Sequence, residues 1–195
     1  FCRRAAALPN LCPHFHLSMQ SGCDSVLARM NRKYDSERYY ESVKLLNEAY
    51  ETPGITTDLI VGFPGETEEE FQQTLAFIRR CAFSAMHIFP YSRRPGTPAD
   101  GMPGQILNSV KEERAHRAQQ AALEMEAAYL DRWVGRTVPV LFEKERDGLW
   151  RGHTTRYSEV AAPSGENLHN QLRQVYITGR AGNTLQGELC EGQEK

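Results

Sequence analysis

Thr57-Asp58-Leu59-Ile60-Val61-Gly62-Phe63-Pro64-Gly65-Glu66-Thr67 joins an apolar, β-branched segment to the start of a helix through a turn with two glycines. Residues 55–61 read as a buried parallel strand, apart from the polar Thr56, Thr57 and Asp58. Thr67-x-x-Glu70 has the form of a capping box, and Phe71, Leu75 and Ile78 supply the core stripe of the helix behind it. Upstream, a helix is expected over residues 36–50, with Tyr39, Val43, Leu46 and Tyr50 on one face, until Pro53-Gly54 breaks the pattern. Before that helix, residues 14–19 form a short apolar run that ends at Gln20-Ser21-Gly22. Downstream, residues 85–89 form the next strand and close at Pro90. The order β, α, β, α, β with helical crossovers is that of a parallel α/β sheet.

Residues 93–105 contain Pro95, Gly96, Pro98, Gly101, Pro103 and Gly104, which predicts a loop around the sheet edge. A long alanine-rich helix is expected over residues 109–133, started by a Ser109/Glu112 capping box and ended by Gly135. Its packing stripe is Val110, Arg114, Ala118, Ala121, Met125 and Tyr129 or Ala128. The pattern then changes: Val138, Val140 and Phe142 alternate, Asp147-Gly148 signals a hairpin, and residues 172–177 and 185–189 form further short strands. These predict a small β-barrel of the oligonucleotide-binding kind. The domains are therefore expected at residues 1–134 and 135–195.

The chain has 195 residues, 40% of them hydrophobic and 25% charged, which suits a folded protein and excludes collagen-like and disordered classes. No stretch approaches the ~20 apolar residues that a membrane span needs, and no signal peptide is expected at the start of the sequence. A net charge of −2 means that any nucleic acid must be held by local patches. The five cysteines, Cys2, Cys12, Cys23, Cys81 and Cys190, show neither disulfide nor metal-site spacing, so free thiols in a reducing cytoplasm are expected. Phe1-Cys2-Arg3-Arg4 lacks an initiator methionine and any helix or strand start signal, and reads as the start of a piece of a longer chain, with a processed N-terminus as the alternative.

The glycine turn at residues 62–65 offers backbone amides to a ligand. It is not a phosphate loop, because it lacks Gly-Lys-Ser/Thr and is followed by Glu66, Glu68, Glu69 and Glu70. Asp58 is costly to bury alone, so it either faces a polar cleft or pairs with an arginine. Gln20 and Ser21 end the preceding strand, and Tyr91, Ser92 and Arg94 end the following one, so three strand ends bring polar groups to one rim. His14, His16, His87 and His153 lack spaced metal-ligand partners, and no metal site is expected. In the β region eight basic residues balance eight acidic ones. There Trp150, Arg151, His153, Arg156 and Tyr157 interleave aromatic and basic groups on one hairpin, as stacking and phosphate contact require.

Three segments together resemble the radical-SAM methylthiotransferases. They are His16-Leu17-Ser18-Met19-Gln20-Ser21-Gly22-Cys23-Asp24 with Met30-Asn31-Arg32, the Thr57–Thr67 stretch, and Phe89-Pro90-Tyr91-Ser92-Arg93-Arg94-Pro95-Gly96-Thr97. The opening histidines and Arg93-Arg94-Pro95-Gly96-Thr97-Pro98-Ala99 look most like the branch acting on threonylcarbamoyladenosine in tRNA. The ribosomal-protein aspartate branch and a stand-alone RNA-binding module are the alternatives. The resemblance implies an α/β fold, the second half of a radical-SAM partial (β/α) barrel, followed by a small all-β, OB-like TRAM barrel that grips tRNA. It implies S-adenosylmethionine as cofactor, held by Gln20, Ser21, Asp58, Gly62, Phe89, Tyr91 and Ser92. RNA contacts fall to Arg94, Arg151, Arg156 and Tyr157, and no catalytic residue is assigned. The partners implied are the anticodon stem-loop of tRNA and a reductant, with no membrane. The family's two [4Fe-4S] clusters have their ligands in a CxxxCxxC motif and an N-terminal domain that this sequence lacks. The chain is accordingly expected to be the C-terminal part of a cytoplasmic enzyme and inactive on its own.

Overall fold

A computed structural model describes residues 2–190; Phe1 and residues 191–195, the outer ends of the two expected domains, lie outside the described residues. Two compact units are present. The first takes Phe15–Met125 with residues 2–9, and the second takes Asn10–His14 with residues 126–190.

The first unit is built on a three-stranded sheet in the order β1-β2-β3, with β1 at His14–His16, β2 at Gly54–Val61 and β3 at Ala85–Pro90. Strands β2 and β3 are parallel, with Asp58 opposite His87 and Ile60 opposite Phe89. Helix α3 (Ser36–Ala49) precedes β2 and helix α4 (Glu68–Cys81) links β2 to β3. Two shorter helices, α1 (Cys2–Ala6) and α2 (Asp24–Arg29), were not signalled by the sequence. Residues 2–4 do start a helix, against the expectation above: Arg and Ala are good helix formers even where no cap residue marks the end.

Strand β2 is buried on one face only. Ile55, Thr57, Leu59 and Val61 point into a core with Tyr39, Val43 and Leu46 of α3 and Phe71, Leu75 and Ile78 of α4. Thr56, Asp58 and Ile60 on the opposite face are half-exposed. The expected two-sided burial is therefore corrected: the polar residues at 56 and 58 mark the open face, as period-2 alternation requires.

The Thr67/Glu70 capping box forms, with the Glu70 backbone N–H donating to Thr67 Oγ1 at 3.2 Å. Glu70 also accepts from Arg29 Nη1 at 3.0 Å and from the Ser25 hydroxyl. Helix α5 (Asn108–Asp131) begins one residue before Ser109, and Val110 and Lys111 N–H both donate to Leu107 O, so Ser109 lies in the first turn and is not the cap. The segment before α5 holds one 3₁₀ turn, Pro98–Gly101, fixed by Arg93 Nε on Asp100 at 2.8 Å.

The second unit is a closed five-stranded barrel in the order β4-β5-β6-β8-β7: β4 Thr137–Arg146, β5 Leu149–Thr154, β6 Glu159–Ala162, β7 Leu172–Ala181 and β8 Thr184–Leu189. Asp147 and Gly148, both at positive φ, make the two-residue turn between β4 and β5. The core takes Val138, Val140 and Phe142 from β4 with Trp150, Val160, Val175, Ile177 and Leu185. Gly152 is required by close approach, since a Cβ there would strike the backbone of Leu141. Tyr129, Leu130 and Trp133 at the end of α5 join this core. The units therefore divide at Met125/Glu126 rather than at 134/135, because three large side chains past Met125 find their apolar partners in the barrel.

Arg29, Ser25 and the capping N–H of Thr67 hold the Glu70 carboxyl down at about 2, against an ordinary 4.5. A carboxyl depressed by folding adds stability that is complete above its ordinary value and is lost as pH falls toward its folded value. Denaturant unfolding of wild type and Glu70→Gln should differ by up to about 3 kcal/mol at pH 7. That gap should close between pH 4.5 and about 2.

Candidate functional site

The backbone at the end of β1 departs from a regular ladder. Leu17 N–H donates to Thr56 O, and pairing resumes at Gln20, whose N–H donates to Asp58 O and whose carbonyl accepts from Ile60 N–H, each at 2.9 Å. Between them the Thr57 hydroxyl stands in for backbone partners, accepting from Met19 N–H at 3.0 Å and donating to Leu17 O. Tyr39 and Tyr34 hydroxyls donate to the carbonyls of Leu17 and Met19 at 2.6 and 3.0 Å. Gln20 leaves this bulge at φ +70°, and its side chain enters a cleft.

That cleft has a volume of about 560 Å³ and is lined by Gln20, Asp58, Ile60, Phe89, Pro90, Tyr91, Ser92, Arg94, Thr97 and Ala99. The size falls within the range of small-molecule sites. Three successive strand ends thus converge on one hollow. Asp58 Oδ2 lies 3.3 Å from His16 Nε2 and 3.4 Å from Ser18 Oγ, and His16 Nδ1 is 3.0 Å from Thr56 Oγ1. No arginine lies within ion-pair distance of Asp58 among the described residues, so of the two readings of this carboxylate the cleft is the one observed. Phe89, 52% exposed, and Ile60 give the cleft an apolar wall. Tyr91 N–H donates to Val61 O at 2.8 Å and its ring stands edge-on to Phe63, while its hydroxyl is buried without a hydrogen-bond partner.

Two residues expected at the site do not line it. Ser21 is buried, with its hydroxyl 3.3 Å from Thr74 Oγ1 and accepting from Cys23 N–H. Gly62 has its N–H taken by the Glu66 carboxylate and its Cα covered by the stem of Lys111, so no amide is offered to a ligand. Its φ of +71° still requires glycine. Arg94, assigned to RNA from the sequence, is on the cleft wall itself.

The sequence also concealed what holds the glycine turn. Glu66 is not a helix-dipole acid on the surface: it is 1% exposed and pairs at 2.8 Å with Arg114 of α5, itself 5% exposed. Burial pushes the Glu66 carboxyl up, opposed by the Gly62 N–H and by Arg114. Arg114 also donates to Glu66 O at 3.0 Å, which ties the turn to the helix.

In the barrel, Arg151 donates to Glu159 at 3.0 Å, so its charge is largely answered within the fold. Arg156 lies 4.5 Å over the Trp133 ring. Tyr157 is 67% exposed at φ +65°, and its ring stacks on His153 with centroids 4.6 Å apart and planes 14° from parallel. The Tyr157 ring also stacks on His14, with centroids 5.3 Å apart and planes 26° from parallel, so it is already stacked within the fold.

Among the described residues no group of three or more His, Cys, Asp or Glu is placed to hold a metal, and all five cysteines are free. The residues present therefore do not fit an iron–sulfur cluster. No helix among them is long and apolar enough to cross a membrane.

The sheet unit, with its cleft at the ends of three strands, belongs to the mixed α/β class. Residues 2–78 match the model of the Radical SAM superfamily. The relatives the chain resembles are tRNA methylthiotransferases. It is 38% identical over 186 residues to a tRNA-2-methylthio-N(6)-dimethylallyladenosine synthase of Maricaulis maris, a match covering 94% of this chain and 41% of that protein. It is 37% identical over 169 residues to the threonylcarbamoyladenosine tRNA methylthiotransferase MtaB of Bacillus subtilis, covering 84% and 38%. A dimethylallyladenosine synthase of Oleidesulfovibrio alaskensis is 45% identical over 159 residues, covering 82% and 34%. The chain thus spans about two fifths of the length of these relatives. The match does not single out the threonylcarbamoyladenosine branch, because both kinds of enzyme are found and dimethylallyladenosine synthases recur more often. Coproporphyrinogen III oxidase (HemN) from Escherichia coli gives a TM-score of 0.49 at 20% identity, covering 59% of this chain and 27% of that one.

Removing one partner of a buried ion pair leaves the other charged and unanswered. Arg114→Leu should lower unfolding stability by about 3–5 kcal/mol. Arg114→Leu combined with Glu66→Gln should recover part of that loss, as measured by denaturant titration of the three proteins.

Proposed function

We propose that the chain is part of a radical-SAM enzyme that methylthiolates C2 of an N6-modified adenosine beside the anticodon of tRNA. The observation that carries this reading is the convergence of Gln20, Asp58 and the Phe89–Ser92 edge on one cleft at the C-terminal ends of parallel strands, where such sheets bind ligands. The cleft chemistry suits S-adenosylmethionine. Asp58 puts a carboxylate where a sulfonium, an amine or a ribose diol can be received. Ile60 and Phe89 offer an apolar wall to an adenine ring. When bound, S-adenosylmethionine supplies the methyl group and, with an electron donor, a 5′-deoxyadenosyl radical. His16 and Ser18 orient the Asp58 carboxylate, and Gln20 and Ser92 add polar groups at the rim. The small barrel fits a TRAM module, with the exposed Tyr157 and Arg156 beside it as the candidates for RNA contact.

The substrate we assign is N6-threonylcarbamoyladenosine, on the His16-Leu17-Ser18 and Arg93-Arg94-Pro95-Gly96-Thr97 segments. The second reading, N6-dimethylallyladenosine, is favoured by the names of most of the relatives.

Nucleoside mass spectrometry of tRNA from a strain lacking the gene separates the two. Loss of the 2-methylthio group from threonylcarbamoyladenosine alone supports the first assignment, and loss from dimethylallyladenosine alone supports the second. Retention of both groups rejects a tRNA substrate. For the cleft, Asp58→Asn in the complete protein should weaken S-adenosylmethionine binding by tenfold or more, about the worth of a charge-assisted hydrogen bond. Its melting temperature should stay near that of wild type. Unchanged binding by calorimetry would remove Asp58 from the site.

A further inference from the structure

A second cavity, of about 440 Å³, shares Pro90, Tyr91 and Ser92 with the cleft and is otherwise lined by Arg93, Asn108, Lys111 and Glu112. Lys111 is the unusual member: an ammonium-bearing residue only 6% exposed. Its Nζ donates to Tyr91 O at 3.0 Å and meets Asn108 Oδ1 at 3.4 Å, both neutral acceptors. Among the described residues no carboxylate lies within 4 Å of it, and Glu112, which shares the cavity wall, is exposed and makes no ion pair with it. Buried charges are otherwise paired in this unit, as Arg114 is with Glu66. A buried cation without a counter-charge is expensive unless an anion completes it. The cavity also opens at the first turn of the 24-residue helix α5, whose dipole favours negative charge. Arg93, its charge answered by Asp100, also lines the wall.

We infer that this cavity is an oxyanion site, and that its ligand is a phosphodiester of the RNA backbone next to the nucleoside being modified. The inference rests on the RNA reading above for the identity of the ligand, and on Lys111 alone for the anion. The juxtaposition matches the shape of a nucleotide: an apolar-walled cleft and a cationic hollow on the two sides of one short segment, Pro90-Tyr91-Ser92.

Lys111→Met is the informative variant, because it keeps the apolar stem that covers Gly62 and removes only the ammonium. Melting of the 195-residue chain is measured in inorganic phosphate and in sodium chloride of equal ionic strength. Phosphate at about tenfold above its dissociation constant should raise the wild-type melting temperature by about 3 °C over chloride. Lys111→Met should show no such difference, whatever its own melting temperature in chloride. A phosphate response equal in both proteins, or absent from both, overturns the site and leaves Lys111 only as a tie to Tyr91 O. In a second arm, an anticodon stem-loop RNA is titrated at several salt concentrations. The slope of log affinity against log salt should fall in the variant by about 0.7–0.9, one phosphate contact. A phosphate response confined to wild type with an unchanged RNA slope overturns the backbone assignment in favour of free phosphate. RNA that fails to bind wild type at all, with the phosphate response intact, overturns the RNA reading while the anion site stands.

Discussion

The first three turns of α5 hold the ends of two strands through two buried cations. Arg114 grips Glu66, whose carboxylate also receives the Gly62 N–H, and so fixes the turn that follows β2. Lys111, one turn earlier, holds Tyr91 O at the end of β3. Tyr91 in turn donates its N–H to Val61 O, so the ends of β2 and β3 are tied to each other and to the same helix. Everything on the cleft's far side hangs from that arrangement. If Arg114 were lost, the Glu66 carboxylate would seek water, the glycine turn would open, and the wall formed by Phe89, Pro90 and Tyr91 would lose its anchor. Burial of charge, ordinarily a liability, here fixes geometry that apolar contacts alone would leave loose.

On the other side the constraint is a hydroxyl. Thr57 sits fully buried in a strand otherwise made of Ile, Leu and Val on that face, which is costly unless its oxygen is used. It is used twice, on Met19 N–H and Leu17 O, and the result is a bulge in β1 that aims Gln20 into the cleft. The same strand therefore does two opposed things with neighbouring polar residues: Thr57 mends the backbone inside, and Asp58 serves the open face outside.

The order of elements in the sheet unit was legible because each carries a local signal: the β-branched run at 55–61, the Thr67/Glu70 box, the stripes of α3 and α4. So was the Asp147-Gly148 hairpin, where turn chemistry leaves few options. The rim was legible too, since Gln20, Tyr91, Ser92 and Arg94 follow strand segments and Asp58 interrupts an apolar one. What stayed hidden depends on contacts between residues far apart in the chain. Glu66 and Arg114 are separated by α4, β3 and the proline-rich loop, and nothing local distinguishes Glu66 from the surface acids Glu68 and Glu69. Ser21 looked like a rim residue because it adjoins Gln20, but the bulge turns it inward to Thr74. Lys111 was lost among the charged residues of a helix with many.

With a net charge of −2, the chain has no bulk field to draw a polyanion, so the disposition of its cations matters more than their number. Arg29, Arg93, Arg114, Arg117 and Arg151 all face carboxylates within their own unit. Pairing of that kind cancels their long-range attraction while keeping their hydrogen bonds. Arg94 and Lys111 have no carboxylate within ion-pair distance among the described residues, and they flank the same three-residue segment at the end of β3. Two cations without a carboxylate partner thus lie on the two sides of that segment, beside the cleft. A ligand that carries its negative charge a few ångströms from an aromatic ring is favoured there over one that carries it elsewhere, since screening in salt removes distant attraction first and leaves contact at a buried ammonium least affected.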